Sequence, residues 1–108
     1  MTQRTLWEIL VPVHSNAGKV YSIAHHQKWD EKARQISGGL TILKPAKGQW
    51  VTPKGALLHE QMLPVRVLCT EKEMDDIIQF TLRHYDQHAV LAYQLSSRVK
   101  LVYKKKNV

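Results

Sequence analysis

An α+β fold with elements in the order β-α-β-β-α-β is what this 108-residue sequence predicts, and three observations predict it. The stretch LWEILVPV, Leu6 to Val13, is apolar on both alternating faces with a single charge, the pattern of a strand covered on both sides. Thr70 and Glu73 form an S/T-x-x-E capping box ahead of an amphipathic run. HAVLAYQL, His88 to Leu95, alternates Ala89, Leu91, Tyr93 and Leu95 against Val90, Ala92 and Gln94, as a strand does.

The bulk composition is that of a folding chain. The length suits one domain, residues 1–108, able to bury roughly two thirds of the surface that its unfolded form exposes. Hydrophobic residues at 44% and charged residues at 23% are ordinary globular values. Flexibility is expected only in a basic tail, 104–108. The formal charge of +7 attracts polyanions and anionic ligands, although four of the sixteen basic residues (Lys100, Lys104, Lys105 and Lys106) crowd the last nine positions, where a solvated tail accounts for them. No apolar run approaches the roughly 20 residues that span a bilayer, and Met1 to Thr5 lacks the apolar stretch of a secretory leader. The single cysteine, Cys69, follows the apolar run Val65 to Leu68 and reads as a buried structural thiol in a reducing compartment. A cytoplasmic protein without a membrane partner is the expectation.

Along the chain, Pro12 falls near the end of the first strand, where a missing amide donor does least damage. Turn-rich HSNAGKVYS ends in Ser22, a suitable N-cap. Ile23, His26, Trp29 or Asp30, Ala33 and Ile36 then recur at helical spacing, and Gly38 or Gly39 closes the helix. Lys28, Glu31, Lys32, Arg34 and Gln35 form its solvated face. LTILK, Leu40 to Lys44, is a short β-branched strand bounded by Gly39 and Pro45. It opens a long hairpin with an irregular tip, Pro45 to Gly55, and a return strand, Met62 to Leu68. The second helix has Glu71, Glu73, Asp75 and Asp76 at its start and Arg83 and His84 at its end, which suits the helix dipole. Met74, Ile77, Ile78, Thr81, Leu82 and Tyr85 form its inward stripe. After His88 to Leu95, VKLVYKKK reads as an additional short C-terminal strand whose lysines protect an edge.

These elements make a ferredoxin-like βαββαβ sandwich, with the first and third strands in the middle of an antiparallel sheet and both helices on one face. Two helices cannot cover both sides. The apolar residues on both faces of the first and last main strands therefore imply that the second face is buried against another copy of the chain, in a dimer or trimer.

No motif names a reaction. The glycine-rich stretch Ile36 to Gly55 lacks the Walker pattern, since Gly48 is followed by Gln49, and G-x-G-x-x-G and G-x-S-x-G are absent. What remains is Lys44, Lys47, Trp50 and Lys54 around the hairpin, a basic surface for a small anionic ligand or a protein partner in the clefts between subunits. The same residues can stack on a base and contact phosphate, so a nucleic-acid-binding module that also uses the tail is an alternative. Trp50 packing on a neighbouring subunit is the plainer reading of that tryptophan.

In HYDQH, residues His84, Asp86 and His88 alternate and would face one divalent metal if the segment were extended. A helix end breaks the alternation, so a capping histidine, a turn aspartate and a strand-start histidine are the simpler reading. No metal or cofactor is expected, and His84 and Asp86 are retained as ligand-binding positions near the hairpin. His25 and His26 face about 100° apart on a helix, and His59 and Glu60 point to opposite faces of a strand. A small dimeric ferredoxin-like enzyme using His26 or His59 as acid or base is the third alternative.

The C-terminal half, LPVRVLCT followed by a helix and HYDQHAVLAYQL, resembles the trimeric CutA divalent-cation-tolerance proteins and more distantly the nitrogen-regulatory PII proteins. In CutA a strand and a helix lead to HPYE-x-PE-I, which His84, Tyr85 and Asp86 echo without the intervening proline. GGLTIL stands where CutA has a cysteine-containing strand, so copper binding is not carried over. The resemblance implies a non-enzymatic, homo-oligomeric regulatory module. In PII-like proteins the loop between the second and third strands contacts ligands and partners, and Pro45 to Gly55 takes that place.

Overall fold

The computed structural model describes residues 3–105. Its elements are β1 (Thr5–Pro12), α1 (Ile23–Ser37), β2 (Thr41–Ile42), β3 (Ala46–Val51), β4 (Leu57–Cys69), α2 (Glu71–His84) and β5 (Ala92–Ser96). The strands form one antiparallel sheet in the order β2-β4-β1-β5, with β3 also on β4. β1 and β4 are central, as the ferredoxin-like order requires.

β4 is long enough to serve two edge strands in turn. Its first half pairs with β3, from Val51↔Leu57 to Ala46↔Met62, and Val65 and Arg66 pair with β2. The break between β2 and β3 coincides with Pro64. Leu43 donates to the Pro64 carbonyl at 2.9 Å, but Pro64 has no N–H to return, and Pro45 removes a second donor from the edge.

Both helices start where their caps dictate. Ser22 accepts from the His25 amide at 3.1 Å, and α1 ends at Gly38 with φ 99°. The capping box of α2 is complete, with the Glu73 amide donating to Thr70 Oγ1 at 3.1 Å and the Thr70 amide to Glu73 Oε1 at 2.8 Å. The helices pack on one sheet face over Ile9, Val11, Val65, Val67 and Cys69, with Trp29, Ala33, Met74, Ile77 and Tyr85 supplying the other half of the core. Cys69 is buried, as its apolar flank predicts, and burial pushes its thiol up to about 11.

One hydrogen-bonded link ties the two helices inside that core. Trp29 Nε1 donates to Thr81 Oγ1 at 2.8 Å, and Thr81 Oγ1 donates onward to the Ile77 carbonyl at 2.6 Å. Both side chains are fully buried, so the indole N–H has no water to fall back on.

The opposite face carries the alternate residues. Glu8 lies across from Arg66 and Tyr93, accepting from Arg66 Nε at 3.2 Å and from the Tyr93 hydroxyl, and is 8% exposed. Leu58, Leu91, Tyr93 and Leu95 around it are 36–46% exposed.

Four expectations are corrected. The hairpin tip is regular. Ala46–Val51 is a fully paired strand, and only 52–56 turn, held by Gly55 at φ 85° and by Thr52, whose hydroxyl and carbonyl accept from Ala56 and Gly55. Ile23, expected inward, is 76% exposed, because it occupies the first turn of α1 beyond the reach of the core. The last main strand begins at Ala92 rather than His88, because Asp86 at φ 49° reverses the chain after α2. The additional strand at Val99 to Lys104 is not formed. Ser96 clasps Arg98 through its hydroxyl, and the chain then brings Leu101 and Tyr103 beside Leu6 and Leu68 on the open face. Lys104 and Lys105 are exposed, while the rest of the basic tail lies outside the described residues.

Replacing Thr81 with valine keeps the shape but leaves the Trp29 N–H unpaired in the core. The unfolding free energy should fall by about 1–3 kcal/mol, measured by urea denaturation at neutral pH.

Candidate functional site

The alternation along β4 sets the geometry of the hairpin. Leu58, Glu60 and Met62 share the face of Trp50 and Gly48, because Gly48 pairs with Glu60 and Trp50 with Leu58. A Cβ on Gly48 would overlap Met62 Cε and stand 3.1 Å from Trp50 Nε1. The indole therefore leans over the bare glycine, next to the residue opposite it, Glu60.

Two adjoining clefts run along this part of the sheet and share Pro12, Leu58, Glu60 and Gln87. The wider one, about 580 Å³, lies between the hairpin and the turn after β1, and its ionisable lining groups are Lys47, His14, His59 and Glu60. The narrower, about 290 Å³, is floored by Leu10 and Met62 and walled by Trp50, Glu60 and Leu91. Gln87 sits at the join. Its amide nitrogen donates to the Tyr85 carbonyl at 3.1 Å, which leaves the amide oxygen as an acceptor.

The residues expected to form one site are divided. Lys47 reaches the wider cleft and Trp50 the narrower. Three positions apart on a strand, they leave by opposite faces, so one flat nucleic-acid surface does not receive both directly. Lys44 stands at the break between β2 and β3 and Lys54 in the hairpin turn, and neither lines these clefts. His59 lines the wider cleft. Asp86 is exposed in its turn and offers only its backbone carbonyl, to Asn16 Nδ2 at 2.9 Å.

His84 is turned into the helix pair instead. Its ring stacks on His25 with centroids 3.9 Å apart, and each ring's Nε2 bonds the other's backbone carbonyl, at 2.7 and 2.8 Å. The alternation of His84, Asp86 and His88 therefore builds no common donor set, and no metal-binding group of three or more His, Cys, Asp or Glu is present among the described residues. Around this stack, Tyr21 donates to the Tyr85 carbonyl at 2.6 Å and His26 Nδ1 bonds the Tyr85 hydroxyl at 2.6 Å. Burial lowers the pKa of His26, with His25 and His84 adding to the effect and Asp30 opposing it. Burial also pushes the Tyr85 phenol up.

The reading from sequence missed Glu60 and Gln87. Glu60 carried a usable signal, an acid between Leu58 and Met62 on an otherwise apolar alternating face. Gln87 carried none, since only the reversal at Asp86 brings it under the hairpin.

A histidine with a depressed folded pKa binds more protons when unfolded, so its contribution to stability is present above 6.5 and is lost as the pH falls below it. The urea midpoint should drop between about pH 7.5 and pH 5, and His26→Gln should flatten that part of the profile.

No family model matches the chain, and no curated protein matches its sequence. Solved structures do match its fold. The CutA protein of Archaeoglobus fulgidus, described as a periplasmic divalent cation tolerance protein, is 9% identical with a TM-score of 0.67, over 92% of this chain and 88% of that one. The divalent cation tolerance protein of Thermus thermophilus is 11% identical with a TM-score of 0.67, over 91% and 88%. A phage SAM lyase in complex with S-methyl-5'-thioadenosine is 13% identical with a TM-score of 0.65, over 85% and 80%. The expected resemblance holds at the level of the fold: this chain has the ferredoxin-like α+β fold of the CutA proteins.

Proposed function

We propose that the chain is a homo-oligomeric binding module in which further copies cover the open sheet face and a small ligand occupies the cleft along the hairpin. The observation that carries this is the bare face itself. Leu58, Leu91, Tyr93 and Leu95 stand exposed on one side of a sheet whose helices are all on the other, next to a Glu8 already buried with its partners. A contiguous apolar face of this kind marks an interaction surface, and a second copy supplies a matching one. Lys47 lines the wide end of the cleft, which supports its contact with an anionic group of the ligand. A regulatory rather than catalytic role, for a single domain in a reducing cytoplasm, completes the reading. The buried, partnerless Cys69 supports that compartment.

At micromolar concentration the 12.5 kDa chain should run in light scattering as a dimer or trimer, and Leu95→Glu should dissociate it. A stable wild-type monomer would overturn the assembly.

A second reading is favoured by the narrower cleft, which presents an indole, a carboxylate and an amide oxygen but no basic group. That lining suits an uncharged or cationic nucleoside better than an anion, and the phage lyase of similar fold holds a thioether nucleoside. On this reading the chain binds an adenine nucleoside, with the base on Trp50 and hydroxyl or amino donors to Glu60 and Gln87. Calorimetry with S-methyl-5'-thioadenosine should show binding that weakens about tenfold or more in Trp50→Leu, as loss of a stacking partner worth roughly 1–3 kcal/mol requires.

A further inference from the structure

Charge is distributed unevenly between the two clefts. The chain carries a net +7, yet the ten residues lining the narrower cleft include one charged side chain, the acid Glu60, and no lysine, arginine or histidine. Glu60 makes no ion pair among the described residues, whereas Glu8, Glu73 and Asp76 each have one. Glu60 stands beside an indole in a cleft whose lining holds no basic side chain.

The strand geometry sets these groups around one space. Trp50 and Glu60 are diagonal neighbours on the same face, and Gly48, which pairs with Glu60, leaves room for the indole edge that a Cβ would meet at 3.1 Å. An aromatic face attracts a cation through its quadrupole, and a carboxylate adds a full opposite charge. Leu10, Met62 and Leu91 supply an apolar bed, and the free oxygen of Gln87 accepts a hydrogen bond at the margin.

We propose that the cleft at Trp50, Glu60 and Gln87 binds an organic cation carried on a flat apolar body, a sulfonium nucleoside being the matching class. This rests on the second reading above and adds to it that the ligand's positive charge is recognised. Glu60 faces the charge, Trp50 the flat body and its cationic edge. A weakly hydrated cation such as a sulfonium suits the site better than an ammonium, because little hydration is lost on entering an apolar bed.

The test compares two probes that differ only in a methyl group and its charge. S-Adenosylmethionine carries the sulfonium, and S-adenosylhomocysteine is the neutral thioether on the same body. Titration calorimetry on the full chain should find the sulfonium bound about tenfold more tightly. Glu60→Gln should bring the two affinities within about twofold of each other, because the carboxylate charge that separates them is gone. Its melting temperature, compared with wild type, confirms that the exposed substitution leaves the fold intact. Equal affinities in the wild type would overturn charge recognition and leave nucleoside binding standing. Absence of binding by either probe would overturn both, and the assembly would still be judged separately by light scattering.

Discussion

The thirteen-residue strand β4 is the constraint on which the rest of the molecule depends. Its C-terminal half lies in the centre of the sheet, bonded to β1, and places Val65, Val67 and Cys69 under the helices. Its N-terminal half runs on past the end of β1 with β3 as its companion. One strand thus serves both the core and the cleft, and any shift of register along it would exchange the residues presented to each. Glu60 would then leave the cleft face, and Val65 and Val67 would leave the core.

The one-sided core follows from the same arrangement. Two helices tied by Trp29 and Thr81 fill a single face, and the histidine stack at their far ends brings His25, His84 and Tyr85 into the space between them. The other face is left with a polar centre, Glu8 with Arg66 and Tyr93, inside an apolar surround. In the proposed assembly a polar centre of this kind would hold partners in one register, since a shifted copy would bury these groups against hydrocarbon without compensation. The described part of the C-terminal segment contributes Leu101 and Tyr103 to that face rather than a strand to the edge.

The presence of Lys47 at the wide end only, with Glu60 shared by both clefts, bears on how ligand classes are distinguished. Lys47 of the wide cleft favours an anionic group, and Trp50 with Glu60 favours a cationic or neutral body. A ligand bearing both kinds of group, one at each end of a connected groove, would satisfy the two together. A divalent metal ion, by contrast, finds no group of three or more His, Cys, Asp or Glu donors among the described residues.

Local chemistry determined much of this protein by sequence alone. The caps at Ser22 and Thr70, the left-handed Gly38, the buried thiol and the order of strands and helices all depend on neighbouring residues, and a short stretch of chain contains its own neighbours. The regularity of Ala46–Val51 did not show, because glycine, lysine and glutamine have weak strand preferences and the pairing partner, Leu57 to Met62, lies across a turn. The absence of a last strand was equally hidden, since it turned on whether Ser96 would clasp Arg98 or let the chain fold back. His84 read as a ligand because its sequence neighbours include Asp86 and His88. Its true neighbour is His25, fifty-nine positions away, and only the packing of the two helices decides that. The site divides in the same manner. Trp50 was visible as a tryptophan on a glycine-rich hairpin, but its placement beside Glu60 and Gln87 required strand register and a reversal at Asp86. Composition cannot express those distances between remote residues.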